Sequence, residues 1–154
     1  MTIFFLSKET ELGRRRLNRR ILENLKEFID KMKILFAGSP KSSAKILNSM
    51  VNAGLDIVGV ISQPDKRSKR GRGKEASSVA TESLKLGIPT FKPTKLDDLF
   101  KQEITQLNFD FLVVSAYGKI LPEWMLDTPN IAPINIHFSL LPKYRGLLQY
   151  KHRY

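Results

Sequence analysis

Two short apolar runs, Lys33-Ile-Leu-Phe-Ala37 and Asp56-Ile-Val-Gly-Val-Ile61, flank a segment whose apolar residues Ile46, Leu47 and Met50 recur at helical spacing. This alternation constrains the fold more than any other feature of the chain. A strand that is apolar at nearly every position buries both faces, and a sheet covered by helices on both sides provides that environment. Strand, helix and strand in that order give parallel pairing through a right-handed crossover. The first run ends in Gly38-Ser39-Pro40, and the spacing predicts a helix over 42–51 capped by Ser42 or Ser43. The alternation continues with helices predicted over 77–86, stopped by Gly87, and over 95–107. Strands are predicted over 88–91, short because Pro89 lacks a ladder donor, over 111–115 and over 134–137. Leu121-Pro122-Glu-Trp124 starts a short helix, and Phe111-Leu-Val-Val-Ser115 is the most apolar strand, expected at the sheet centre. The predicted class is α/β with a mostly parallel sheet and flanking helices, and 154 residues suffice for one such domain.

Composition removes several chemistries. There is no cysteine, so disulfides, cysteine-ligated zinc and thiol nucleophiles are excluded. No metal is called for. No apolar run approaches the ~20 residues of a membrane span, and the opening Met-Thr-Ile-Phe-Phe-Leu is too short for a signal peptide, so a cytoplasmic location without membrane contact is expected. The net charge of +11 is concentrated in three segments: residues 1–31 carry +3, residues 63–75 carry +4 and residues 143–154 carry +4. A neutral body with basic segments suits contact with a polyanion, although charge alone also fits solvated loops or an anionic membrane. Residues 1–31 read as a basic helix with Leu17, Ile21, Leu25 and Phe28 at helical spacing.

In open parallel sheets, ligands bind at the carboxyl ends of the strands. Gly38-Ser39-Pro40, Ala116-Tyr117-Gly118 and residues 135–142 are expected to converge there. Asn135 and His137 alternate on a predicted strand and so share a face. An amide beside an imidazole can stabilise a carbonyl that gains negative charge, and the imidazole can also shuttle a proton. The same pair also fits a structural histidine beside a turn asparagine.

The run from Asn135 through His137 to Ser139-Leu-Leu-Pro142, followed by Lys-Tyr-Arg-Gly146, resembles the signature of the folate-dependent formyltransferases. Within that superfamily it is most similar to the methionyl-tRNA formyltransferases. Phe36-Ala-Gly-Ser-Pro40 resembles their opening turn. Gln63-Pro-Asp-Lys66 through Gly71-Arg-Gly-Lys74 resembles their basic loop, and Tyr117-Gly118 with Leu121-Pro122 their central turn. The resemblance covers 33–146 and implies a Rossmann-like domain, incomplete on its carboxyl-terminal side. It implies transfer of a formyl group from 10-formyltetrahydrofolate to the amino group of methionyl initiator tRNA in translation initiation. Asn135 and His137 take the catalytic positions; Ser139, Leu140, Leu141 and Pro142 take the folate-binding stretch; Arg70, Arg72 and Lys74 take the tRNA-binding loop. Two other readings stay open: a non-catalytic RNA-binding remnant, and a folate-dependent formyltransferase acting on a sugar or nucleotide amine.

The chain departs from the family pattern at both ends. The family's third catalytic residue is an aspartate well beyond the histidine, and no acid follows Asp127 here, so the chain is expected to be inactive by itself. Residues 147–154 do not match. Deleting one base in the Gly146 codon turns a family-like Gly-Ala-Ala-Pro-Ile-Gln-Ala into Gly-Leu-Leu-Gln-Tyr-Lys-His, as found at 146–152, so these residues read as a frameshifted tail. Residues 1–31 precede the family's usual start and Met32 is a natural initiator, so they read as an extension from an over-called start, with a genuine RNA-touching helix as the alternative.

Overall fold

The computed structural model describes residues 11–67 and 73–137. The chain divides into two units, residues 1–31 and 32–154. In the first, helix α1 (Glu11–Asp30) matches the predicted basic helix, and Ile21, Leu22, Leu25, Phe28 and Ile29 along it are exposed. Lys31 pairs with Glu27 one turn earlier, at 2.6 Å.

In the second unit, β1 (Lys33–Gly38), α2 (Lys41–Asn52) and β2 (Asp56–Ile61) form the expected crossover. A hairpin follows, β3 (Lys66–Arg67) against β4 (Lys74–Glu75). Then come α3 (Ser78–Lys85), β5 (Thr90–Phe91), α4 (Asp98–Thr105), β6 (Phe111–Ser115), α5 (Glu123–Asp127) and β7 (Ala132–Asn135). The main sheet has the order β5-β2-β1-β6-β7, and every pair in it is parallel. It is the mostly parallel Rossmann-like arrangement with flanking helices that the apolar runs predict.

Both faces of the sheet are covered. Ile34 and Phe36 of β1 pack with Ala44 and Leu47 of α2 and Val79 of α3. Leu35 and Ala37, the alternate residues, pack with Phe100 and Ile104 of α4 and Met125 of α5. β1 therefore carries core on both sides, as its unbroken apolar run requires. Gly38 closes β1 where a side chain has no room: a Cβ there would lie 2.8 Å from the Ser115 carbonyl oxygen, 2.9 Å from the Phe36 ring and 3.0 Å from the Ser43 Cβ.

Four expectations need correction. Among the described residues the centre of the sheet is β1, with β6 beside it; the apolar run of β6 reflects burial between β1 and β7, not the middle position. Neither Ser42 nor Ser43 caps α2. The residue at that boundary is Pro40, without a side-chain cap, because Ser43 turns inward and its Oγ donates to the Ser115 carbonyl at 2.6 Å. The basic segment is not wholly loop: Arg67 pairs with Lys74 and Lys66 with Glu75 across β3 and β4. Helix α4 starts at Asp98, later than predicted, because Asp97 supplies the cap by accepting from the Phe100 N–H at 3.2 Å.

Candidate active site

The carboxyl ends of β1, β2 and β6 are tied into one knot. Ser39, one residue past β1, donates through Oγ to the Tyr117 carbonyl at 3.1 Å. Gln63, two residues past β2, donates through Nε2 to the same carbonyl at 3.0 Å. The Gln63 backbone N–H in turn donates to Ser39 Oγ at 3.3 Å. Beneath the knot, Ser43 Oγ and Ser115 Oγ lie 3.0 Å apart, fully buried. Two of the three predicted convergent segments therefore do meet. Gln63 joins them without having been foreseen in that role; the sequence signals were its place just after β2 and its position at the start of the family-like basic loop.

Beyond β6 the chain reverses sharply. Ala116 has a positive φ of 46° and Gly118 one of 85°. The alanine conformation is strained and is held by the bonds on either side of it. Tyr117 between them is buried at 1% exposure in the core under α4 and α5. Among the described residues its hydroxyl has no hydrogen-bond partner, and burial pushes the phenol pKa up to about 12.

Asn135 and His137 lie at the same edge of the sheet. Asn135 closes β7 level with Val114 of β6, and the Ile136 N–H donates to the Val114 carbonyl at 2.8 Å. His137 is half-buried and lies beyond β7, which spans Ala132–Asn135 and not the predicted 134–137. The reason is local: β6 ends at Ser115, and the Ala116 turn leads the neighbouring backbone away before residue 137 could pair with it. Asn135 is exposed, so an amide and an imidazole two residues apart stand at the carboxyl end of β7.

The basic hairpin is anchored at both ends to this edge. At its start stands Gln63. At its finish, Ser77 caps α3 by accepting from the Ala80 N–H at 3.0 Å, and its hydroxyl also bonds that of Ser62. Asp65 and Lys92 form an ion pair at 2.6 Å. Of the predicted tRNA-binding residues, Lys74 stands on β4 and is exposed. Arg70 and Arg72 lie outside the described residues, as do Ser139, Leu140, Leu141 and Pro142. Among the described residues there is no cluster of acids or histidines that could hold a metal, and no helix long and apolar enough to cross a membrane.

Comparison with known proteins bears on the family and the fold. The family model described as "Formyl transferase" matches residues 31–154. The methionyl-tRNA formyltransferase of Marinobacter nauticus is 45% identical over 116 residues, which is 75% of this chain and 37% of that protein. That of Sulfurihydrogenibium sp. is 44% identical over 117 residues, covering 75% and 38%. That of Mycoplasmopsis pulmonis is 42% identical over 121 residues, covering 79% and 41%. The chain thus spans about two fifths of the length of these curated relatives. Among solved structures, glycinamide ribonucleotide transformylase 1 from Geobacillus kaustophilus superposes with a TM-score of 0.55 over 75% of this chain and 62% of its own, at 14% identity, which shows a shared fold. The sequence match from residue 31 onward and the shared parallel sheet place the chain in the formyl transferase family.

Proposed function

We propose that the carboxyl edge of this sheet serves formyl transfer from 10-formyltetrahydrofolate to the amino group of methionyl initiator tRNA, in the cytoplasm. The observation that carries the proposal is the placement of Asn135 and His137 beside the β6 turn, within a chain 45% identical to a methionyl-tRNA formyltransferase. In the reaction, the tRNA-borne amine attacks the formyl carbon and a tetrahedral oxyanion forms. The carbon's bond to the folate nitrogen then breaks, the amine loses a proton and the folate nitrogen gains one. Asn135 donates its amide to the oxyanion, and His137 donates to it or relays the proton. Ser139, Leu140, Leu141 and Pro142 hold the folate, and Arg70, Arg72 and Lys74 contact tRNA phosphates.

The test is equilibrium binding of two probes to the full chain: 5-formyltetrahydrofolate as a stable donor analogue, and initiator tRNA. Saturable binding of both is the expected result. Binding of tRNA without folate moves the chain to the RNA-binding remnant. Binding of folate together with glycinamide ribonucleotide or an amino sugar nucleotide, and not tRNA, moves it to the small-amine formyltransferases.

A further inference from the structure

One concave surface among the described residues lies outside the Ser39–Gln63–Tyr117 knot. It is a trough of about 760 Å³ between α2 and α3, closed at one end by β4. Each helix gives it a single stripe at i, i+3, i+4 and i+7 spacing: residues 41, 44, 45 and 48 of α2, and 78, 81, 82 and 85 of α3. Four lysines line it, Lys41, Lys45, Lys74 and Lys85, all exposed. Two acids oppose them, Glu75 and Glu82. Glu82 is engaged within the protein: Asn48 Nδ2 donates to it at 2.6 Å and Lys85 pairs with it at 3.3 Å, and these bonds hold its carboxyl below the usual range. Lys41 and Lys45, one turn apart on α2, have no acid of their own helix beside them, for α2 contains none.

We propose that this trough is a second phosphate-backbone site, along which Lys41 and Lys45 extend the RNA contact that begins at Lys74. The inference rests on the tRNA reading above. Lys74 belongs both to the hairpin and to the trough, so one nucleic-acid strand leaving the hairpin meets the trough without a gap. A small-molecule pocket encloses its ligand, whereas this trough is open to solvent and carries four lysines. A bilayer surface does not enter a trough between two helices, but a sugar–phosphate backbone does. Lysines placed one helical turn apart follow such a backbone as point charges without reading sequence.

The experiment measures the affinity of the full chain for initiator tRNA across a salt series. The Lys41→Gln/Lys45→Gln pair removes two phosphate contacts and is expected to reduce the log–log salt slope by about 1.4–1.8. Three comparisons decide the outcome. If that pair keeps the unaltered slope while Arg70→Ala/Arg72→Ala lowers it, the trough proposal fails and the tRNA reading stands. If neither pair changes the slope, the tRNA reading fails and takes the trough with it. Lys95→Gln/Lys101→Gln removes equal charge next to and on α4, across the sheet from the trough. An equal loss of slope there assigns the effect to net charge and overturns the proposal.

Discussion

Substituting three glycines one at a time separates steric from conformational demands in this fold. At Gly38, alanine would place its Cβ 2.9 Å from the Phe36 ring and 3.0 Å from the Ser43 Cβ, both short by roughly 0.5–1 Å of an ordinary carbon contact. The third neighbour is the Ser115 carbonyl oxygen at 2.8 Å, which is backbone and cannot swing aside. That oxygen accepts from Ser43 Oγ, and Ser115 pairs in register with Gly38 itself. Relief of the clash must therefore separate β1 from β6 or move α2. Overpacking costs about 1–3 kcal/mol, and weakening the buried serine bond adds about 1 kcal/mol. Gly38→Ala should destabilise by about 3 kcal/mol, a fall in urea midpoint on the order of 1–2 M. Gly54→Ala meets open space but has a φ of +82°, so about 1 kcal/mol of backbone cost is expected. Gly73→Ala meets open space without a positive φ and should be neutral or stabilise by about 0.4–1 kcal/mol. Urea unfolding of the three variants checks the order. A Gly38→Ala midpoint equal to that of Gly73→Ala would refute the steric argument.

Tyr117→Phe removes a buried hydroxyl without a partner and should stabilise by about 1 kcal/mol, read by thermal unfolding; destabilisation by that amount would mean the hydroxyl is bonded. Burial raises that phenol from 10.0 to about 12, so its contribution is whole below pH 10 and is lost as pH rises towards 12. Spectrophotometric titration should show one phenol ionising last, with unfolding, and the phenylalanine variant should lack that step. Asp110 accepts from the Lys33 N–H at 2.9 Å and from Asn130, which together hold its carboxyl below the usual range. Its stabilisation is present above the ordinary carboxylate pKa and fades in stronger acid, so Asp110→Asn should lower the unfolding midpoint at pH 7 and converge with the parent in acid. Equal midpoints at pH 7 would count against it. Replacing Arg70, Arg72 and Lys74 with alanine should reduce the tRNA salt slope by about 0.7–0.9 per lost contact, and an unchanged slope would return the loop to solvent.

Legibility in the sequence followed the apolar pattern. β1, β2 and β6 are unbroken apolar runs, and burial on both faces leaves them no other role, so their positions and parallel pairing were readable from residues 33–37, 56–61 and 111–115. The hairpin was not, because Lys66-Arg67 and Lys74-Glu75 pair through backbone alone and bring no apolar alternation to the pattern. Ser43 misled for a related reason. A serine near a helix start competes between capping and any nearby buried acceptor, and the Ser115 carbonyl, 72 residues away, wins. The meeting of the β1 and β6 turns was legible in the sequence, but not its bracing. Gln63 acts through bonds to a carbonyl 54 residues distant, and no local spacing encodes that.

The strand order has a consequence for synthesis. The chain lays down β1, moves outward through β2 to β5, and only then returns to pair β6 with the other edge of β1. Ile34 waits for Phe111, 77 residues later. At roughly 5–20 residues per second of translation, that is about 4–15 s during which this apolar edge is open. Hairpin and helix formation takes microseconds, so the β1–β2 crossover can be in place for the whole interval. The nascent chain therefore presents a half-built sheet whose free edge is Ile34 through Gly38, a strand ready to pair with any extended segment that arrives first. A chaperone that holds that edge on the ribosome until residues 111–115 emerge therefore favours pairing with β6 over pairing with another chain.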